Sequence, residues 1–192
     1  LSLHDALPIL SHLPVYIMDE EKLSLYATYM STLGNRPDLF PTGTYPNASV
    51  IREPTYCDIP AEALADETFA ALITEAEKYL GFPYVWGGSS PGTSFDCSGF
   101  VSWALTNSGV CNTGGLGAQG LYNISTPVSS ANAKPGDLIF FVGTYDTTGI
   151  SHVGIYVGGG MMLHCGNPIS YANINTSYWQ SHFYAFARPP YN

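Results

Sequence analysis

From Asp66 onward, apolar side chains recur at Phe69, Leu72, Ile73, Ala76 and Leu80. That spacing lays them along one stripe of an α-helix, which Gly81 and Pro83 then stop. A striped helix of this kind packs on a sheet. A second helix-spaced run begins at the stretch FDCSGFVSWAL, Phe95 to Leu105, and Gly109 closes it. Residues 110–134 are rich in Gly, Ser, Asn and Thr and read as loop, with a turn of helix around Ala118 to Tyr122.

The pattern then changes period. KPGDLIFFV is a Pro-Gly turn leading into a continuous apolar run, which predicts a buried strand. ISHVGIYV and MMLHC predict two more strands, with Gly158, Gly159 and Gly160 as a three-residue hairpin loop between them, and HFYAFAR predicts a last one. Helices first and sheet afterwards give an α+β domain. No internal repeat is present.

Upstream, Asp19 followed by Leu23, Tyr26, Ala27 and Met30 predicts a short amphipathic helix ending near Gly34. The following stretch, NRPDLFPTGTYPNASVIREPTYCDIP, holds five prolines among turn formers and reads as a linking segment. The resulting division is 1–9 as a non-native or disordered start, 10–59 as helix and linker, and 60–192 as the main domain. The opening LSLHDALPI resembles a translated sequencing adapter or is an ordinary flexible terminus, and it is set aside from the fold. If it is an adapter, a leader or anchor was lost upstream of Leu1.

Composition narrows the function. With 192 residues, 45% of them hydrophobic and 11% charged, the chain can build a sizeable core. Fifteen acidic against six basic residues give a net charge of −9, which argues against nucleic acid and anionic membranes as partners. No apolar stretch approaches the ~18–20 residues needed to cross a bilayer, and the first twenty residues lack a basic n-region, so the chain reads as soluble.

Strand alternation bears on the candidate chemistry. His152 shares a face with Gly154 and Tyr156, while Val153, Ile155 and Val157 make the stronger core face. His164 falls in line with Met162, and Cys165 points the opposite way. Across the hairpin, His152 and His164 become diagonal neighbours on one face, roughly 7–8 Å apart at Cα or less. Cys97 sits where a polar loop meets its helix, and unpaired N–H groups and the helix dipole there favour thiolate. A buried cysteine and two core histidines are the structural alternative. A thiol nucleophile needs a base, and the base needs a group to fix its tautomer, roles that Cys97, His152 and His164 supply in that order. A metal site is the rival for Cys and His, but no C-x-x-C or H-x-x-x-H spacing exists.

YVWGGSSPGTSFDCSGFVSW, KPGDLIFF and SHVGIYVGGGMMLHC, taken together across about Thr68 to Arg188, resemble the NlpC family of bacterial cell-wall cysteine peptidases, which have a papain-like fold. The resemblance implies Cys97 as nucleophile, His152 as base and His164 as the group that orients it. It implies Tyr84, Asp96 and Ser98 as substrate-binding residues, for the free amine of a stem peptide's L-alanine or for the oxyanion. The implied reaction is hydrolysis of peptidoglycan stem peptides, commonly between γ-D-glutamyl and a diamino acid, without cofactor or metal, by an extracellular or wall-associated monomer. An amidase or acyltransferase would use the same residues, and a non-catalytic wall-binding module is the alternative of another class. The segment around GNRPDLFP resembles wall hydrolases of conjugative elements. Cys165 stands where relatives usually carry a small residue, and alternation makes it structural. Cys57 and Cys111 lack activating neighbours, and with Cys165 they allow at most one disulfide.

Overall fold

The computed structural model describes residues 54–191; the helix expected from Asp19 to Gly34 and most of the proline-rich segment lie outside the described residues. After a single turn of helix, α1 (Ala61–Leu64), the expected striped helix is α2 (Glu67–Glu77). Asp66 caps it by accepting from the backbone N–H groups of Thr68 and Phe69, both at 3.1 Å. Such a cap is worth about 1 kcal/mol. Phe69, Leu72, Ile73 and Ala76 are its buried face. The short strands β1 (Ser89–Ser90) and β2 (Ser94–Phe95) then lead directly into α3 (Cys97–Asn107), which Gly109 follows at φ +77°.

The loop expected after α3 contains α4 (Ala118–Ile124), longer than the single turn that its sequence suggested, and the edge strand β3 (Thr126–Val128). The expected strands are β4 (Leu138–Val142), β5 (Ile150–Gly158), β6 (Met161–Cys165) and β8 (Phe183–Arg188). Besides the short pieces α1, β1, β2 and β3, the sequence did not predict β7 (Ile169–Asn173) or the short helix α5 (Ser177–His182). The sheet is antiparallel, in the order β3-β8-β4-β5-β6-β7.

The continuous apolar run of β4 follows from its central place, because both of its faces are buried. Leu138 and Phe140 join the larger core cluster with residues of α2 and α3, while Ile139 and Phe141 join a second cluster on the opposite side. The same division runs through β5 and β6. Val153, Ile155, Val157, Leu163 and Cys165 belong to the larger cluster; Tyr156 and Met162 belong to the other. Alternation therefore assigned the faces correctly.

The hairpin differs from expectation in one detail that leaves its register intact. Gly158 pairs with Met161, so Gly159 and Gly160 make the turn, and a bulge beside Gly158 absorbs the extra residue. All three glycines have positive φ, a region that costs side-chain-bearing residues steric strain. Beyond the bulge, Tyr156 faces Met162 and Gly154 faces His164.

Two further interactions anchor the sheet. Asp137, fully buried before β4, accepts from Arg188 Nε at 2.7 Å and Nη2 at 2.9 Å, tying the end of β8 to the turn. Tyr171 N on β7 donates to Thr55 O, so the last residues of the proline-rich segment lie against the sheet edge. Among the described residues no helix is long and apolar enough to cross a membrane.

Candidate active site

The first turn of α3 is built around Asp96. Its Oδ1 accepts from Gly99 N at 2.7 Å and from Ser98 Oγ at 3.0 Å, and its Oδ2 accepts from Gly87 N at 3.1 Å. The carboxylate thus caps the helix and clamps the Tyr84–Gly88 loop against it. The loop answers through Asp96 N donating to Gly88 O, and Val85 N donating to Phe95 O. The glycines of the motif have a steric cause. A Cβ on Gly99 would collide with the carbonyl oxygen of Gly88 and stand 3.0 Å from Ser89 Cα. Ser94, held at φ 58°, supplies a strained backbone just before the cysteine.

Cys97 is only 6% exposed, with its sulfur directed at Ser151 O at 4.0 Å. Burial opposes the thiolate expected at the helix start. Burial, with Asp96 second, pushes the thiol up to about 11, against the pull of the N–H groups of Val153, Ser98 and Cys97 itself. All four cysteines are free.

His152 and His164 meet as the alternation required. His152 Nε2 and His164 Nδ1 are 2.9 Å apart, and the rings are nearly perpendicular. Both are buried, at 9% and 7% exposure. Burial, together with His164, holds His152 well below the usual histidine range, and burial alone lowers His164 to about 4.

The two histidines lie among the second-face side chains, with Phe141 and Trp179 against them, whereas Cys97 belongs to the larger cluster. The contact between Cys97 and this strand is made at the backbone of Ser151. An irregularity in the β4–β5 pairing leaves Ser151 as an extra residue between Ile150 and His152. Ser151 Oγ is held by Thr144 N at 2.9 Å and Thr144 Oγ1 at 2.7 Å, and the Cys97 sulfur lies against the peptide that joins Ser151 to His152. Among the described residues, Cys97 and His152 form no direct hydrogen bond.

A pocket of about 310 Å³ opens beside the sulfur, lined in part by Tyr84, Asp96, Cys97, Ser98 and Ser151. The three residues expected to bind substrate therefore all line this pocket, whereas His152 and His164 are not among its lining residues. Tyr84 N donates to Asn167 Oδ1 at 3.3 Å, and burial raises its hydroxyl far above the usual range. Sequence reasoning missed Trp86 and Tyr145, which share this lining and meet edge to face at 5.2 Å. Trp86 is 71% exposed and sits inside the Y-x-W-G-G stretch, so an aromatic in a turn motif was the available signal. Cys165, on the larger-cluster side, donates to Phe95 O at 3.2 Å and is fully buried, consistent with a packing role.

Comparison with known proteins places this arrangement. The chain is 42% identical over 121 residues to the bifunctional muramidase/DL-endopeptidase CwlT of Bacillus subtilis, covering 62% of this chain and 36% of the relative. It is 34% identical over 149 residues to the gamma-DL-glutamyl hydrolase of the same organism, covering 73% and 32%. An NLP/P60-family protein of Staphylococcus aureus similar to lipoprotein superposes with a TM-score of 0.61 at 38% identity, covering 77% of this chain and 47% of that one. The chain thus spans about a third of the length of these two Bacillus relatives. The mixed architecture, a cysteine-bearing helix packed on an antiparallel sheet, is papain-like. With residues 81–188 matching the model of the NlpC/P60 family, the chain belongs to that family.

Proposed function

We propose that this chain is a cysteine peptidase domain that hydrolyses peptidoglycan stem peptides at the bond between γ-D-glutamyl and a diamino acid. The observation that carries the reading is the His152–His164 pair at 2.9 Å on the strand whose Ser151–His152 peptide receives the Cys97 sulfur. The names of the two Bacillus relatives, one a DL-endopeptidase and the other a gamma-DL-glutamyl hydrolase, support the choice of bond.

The chemistry follows from how the imidazole nitrogens are used. His152 Nε2 is engaged with His164 Nδ1, so Nδ1 of His152 is the nitrogen left for the thiol proton. For that role, Nε2–H of His152 donates to Nδ1 of His164, and His164 carries its own proton on Nε2. In this reading His152 Nδ1 takes the thiol proton as sulfur attacks the peptide carbonyl. The tetrahedral oxyanion receives N–H donors at the start of α3, worth ~2.7–4 kcal/mol each in comparable sites. His152 then protonates the leaving amine, and water attacks the thioester to release the acid and restore the thiol. Burial favours the neutral forms of both thiol and imidazole, which suits proton transfer in step with attack.

Tyr84, Asp96 and Ser98 bind the free amine of the terminal L-alanine. Asp96 has already accepted three hydrogen bonds, so the ammonium completes its set. The net charge of −9 disfavours binding to anionic wall polymers. Digestion of defined stem peptides, with the new amine located by mass spectrometry, tests both bond and clamp. Cleavage is expected to place the new amine on the diamino acid. Acetylating the L-alanine is expected to slow it about tenfold to a hundredfold, through loss of a charge-assisted hydrogen bond worth ~1.5–3 kcal/mol. Equal rates for the two peptides would remove the clamp; a new amine elsewhere would change the bond.

A further inference from the structure

The aromatic ring above the histidines has no part in the reading given so far. Trp179, on α5, stacks on His152 with centroids 5.3 Å apart and planes 27° from parallel. The same ring meets His164 edge-on at 5.2 Å and 85°, and lies 4.6 Å from Phe141. A single indole thus touches both members of the His152–His164 hydrogen bond, while Phe141 closes on His152 from β4 at 6.0 Å.

The helix that carries Trp179 is short, yet it is fastened at both ends. Trp179 N donates to Thr176 Oγ1 at 3.4 Å, and Gln180 Nε2 donates to Ile174 O at 2.9 Å. At its far end, His182 Nδ1 donates to Val142 O at 2.8 Å, on the strand next to His152. These contacts hold the indole over the site where a free tryptophan would have several rotamers.

We propose that Trp179 is a positioning residue for the base: its ring fixes the plane of the His152 imidazole and seals the His152–His164 hydrogen bond from water. The inference rests on the reading of His152 as base, but the geometry it invokes exists in the free protein. Physically, a stacked indole leaves the imidazole one favourable plane, and that plane decides which way Nδ1 points once Nε2 is committed to His164. Removing the ring opens a cavity of indole size at a buried polar pair, and water fills a polar cavity. Hydration favours the charged form of each imidazole. The titratable groups on the packed elements are few: His182 and Tyr178 on α5, their rings tilted at 53° and 4.7 Å apart, Tyr156 further along the same face of β5, His164 itself on β6, and Cys97 across the Ser151–His152 peptide. On the β4 side the neighbour is Phe141, which carries no charge. Water is therefore the main influence that Trp179 controls.

Ring-resonance NMR titration of His152 and His164 in the full chain tests this without relying on turnover. Trp179→Ala is expected to move both midpoints up toward the ordinary value of 6.5 and to lower kcat about tenfold with KM changed less than twofold. Trp179→Phe, which keeps a stacked ring, is expected to retain the low midpoints and most of kcat. Trp179→Leu, which keeps apolar bulk and loses the flat face, separates sealing from alignment: low midpoints with a reduced kcat are expected. Unchanged midpoints in folded Trp179→Ala would overturn the proposal, as would Trp179→Leu matching wild type in both readouts. If Trp179→Ala does not fold, the Phe and Leu pair decides. Should no variant and no wild type cleave stem peptides, the titrations still test the seal while the peptidase reading fails separately.

Discussion

At His164 the demand is for a hydrogen-bond acceptor facing Nε2 of His152, which its Nδ1 meets at 2.9 Å. Gln can present an acceptor oxygen there and Ala cannot. His164→Gln is therefore expected to keep measurable turnover, His164→Ala to lose more, and His152→Ala nearly all. Cys165 provides the control, because it faces the larger cluster and donates to Phe95 O. Cys165→Ser is expected to change turnover little, although its buried hydroxyl costs stability. Rates of folded variants on one stem peptide give the order, and Cys165→Ser as damaging as His164→Ala would contradict it. The ionisation states add a pH expectation. As the proposed base, His152 must be neutral to accept the thiol proton, and burial holds it well below the usual histidine range, so kcat/KM is expected to hold as pH falls through 6.5 and to drop only in more acid solution. A limb centred at 6.5 or above would contradict a buried neutral base.

The elements carry the motif glycines. Because the Cβ of an alanine at position 99 meets backbone atoms of Gly88 and Ser89 that cannot rotate away, Gly99→Ala is expected to push the Tyr84–Gly88 loop off α3. The expected cost is about 1–3 kcal/mol, read as a shifted urea midpoint, with a further loss of turnover because the loop carries Tyr84. A variant as stable and active as wild type would contradict that packing. How far such elements can be read in the sequence depends on their periodicity. β4 and the β5–β6 hairpin were legible because apolar runs and alternation encode burial directly, and the faces of His152, His164 and Cys165 followed. β7 was not, since GNPISYANINTS places polar and turn-forming residues around the two buried side chains Ile169 and Tyr171. α5 is six residues long, too short for a stripe to be recognised. The environment of Cys97 is only half legible for a different reason: a helix start is visible in sequence, but the burial that raises the thiol belongs to the packed fold. The extra residue at Ser151, which sets the thiol against the histidine strand, leaves no local signature either.

Across the whole molecule, the buried neutral histidines couple the site to stability. Below 6.5 the unfolded chain binds protons that folded His152 and His164 exclude, so stability is full above that pH and declines as pH falls. His164 alone, lowered from 6.5 to about 4, accounts for about 3 kcal/mol lost across that interval. Urea unfolding at pH 7.5 and pH 4.5 is expected to show a smaller difference for His164→Gln than for wild type. Equal differences would mean that the acid sensitivity arises elsewhere. Hydrolysis as proposed turns on the nucleophile, for which alanine is a near-isosteric substitute with good helix propensity. The most direct test is hydrolysis of a purified stem peptide by wild type and by Cys97→Ala of matched circular dichroism. Wild type is expected to release the γ-D-glutamyl acid and the diamino-acid amine, and Cys97→Ala to match a buffer blank; turnover by folded Cys97→Ala above that blank would contradict the assignment.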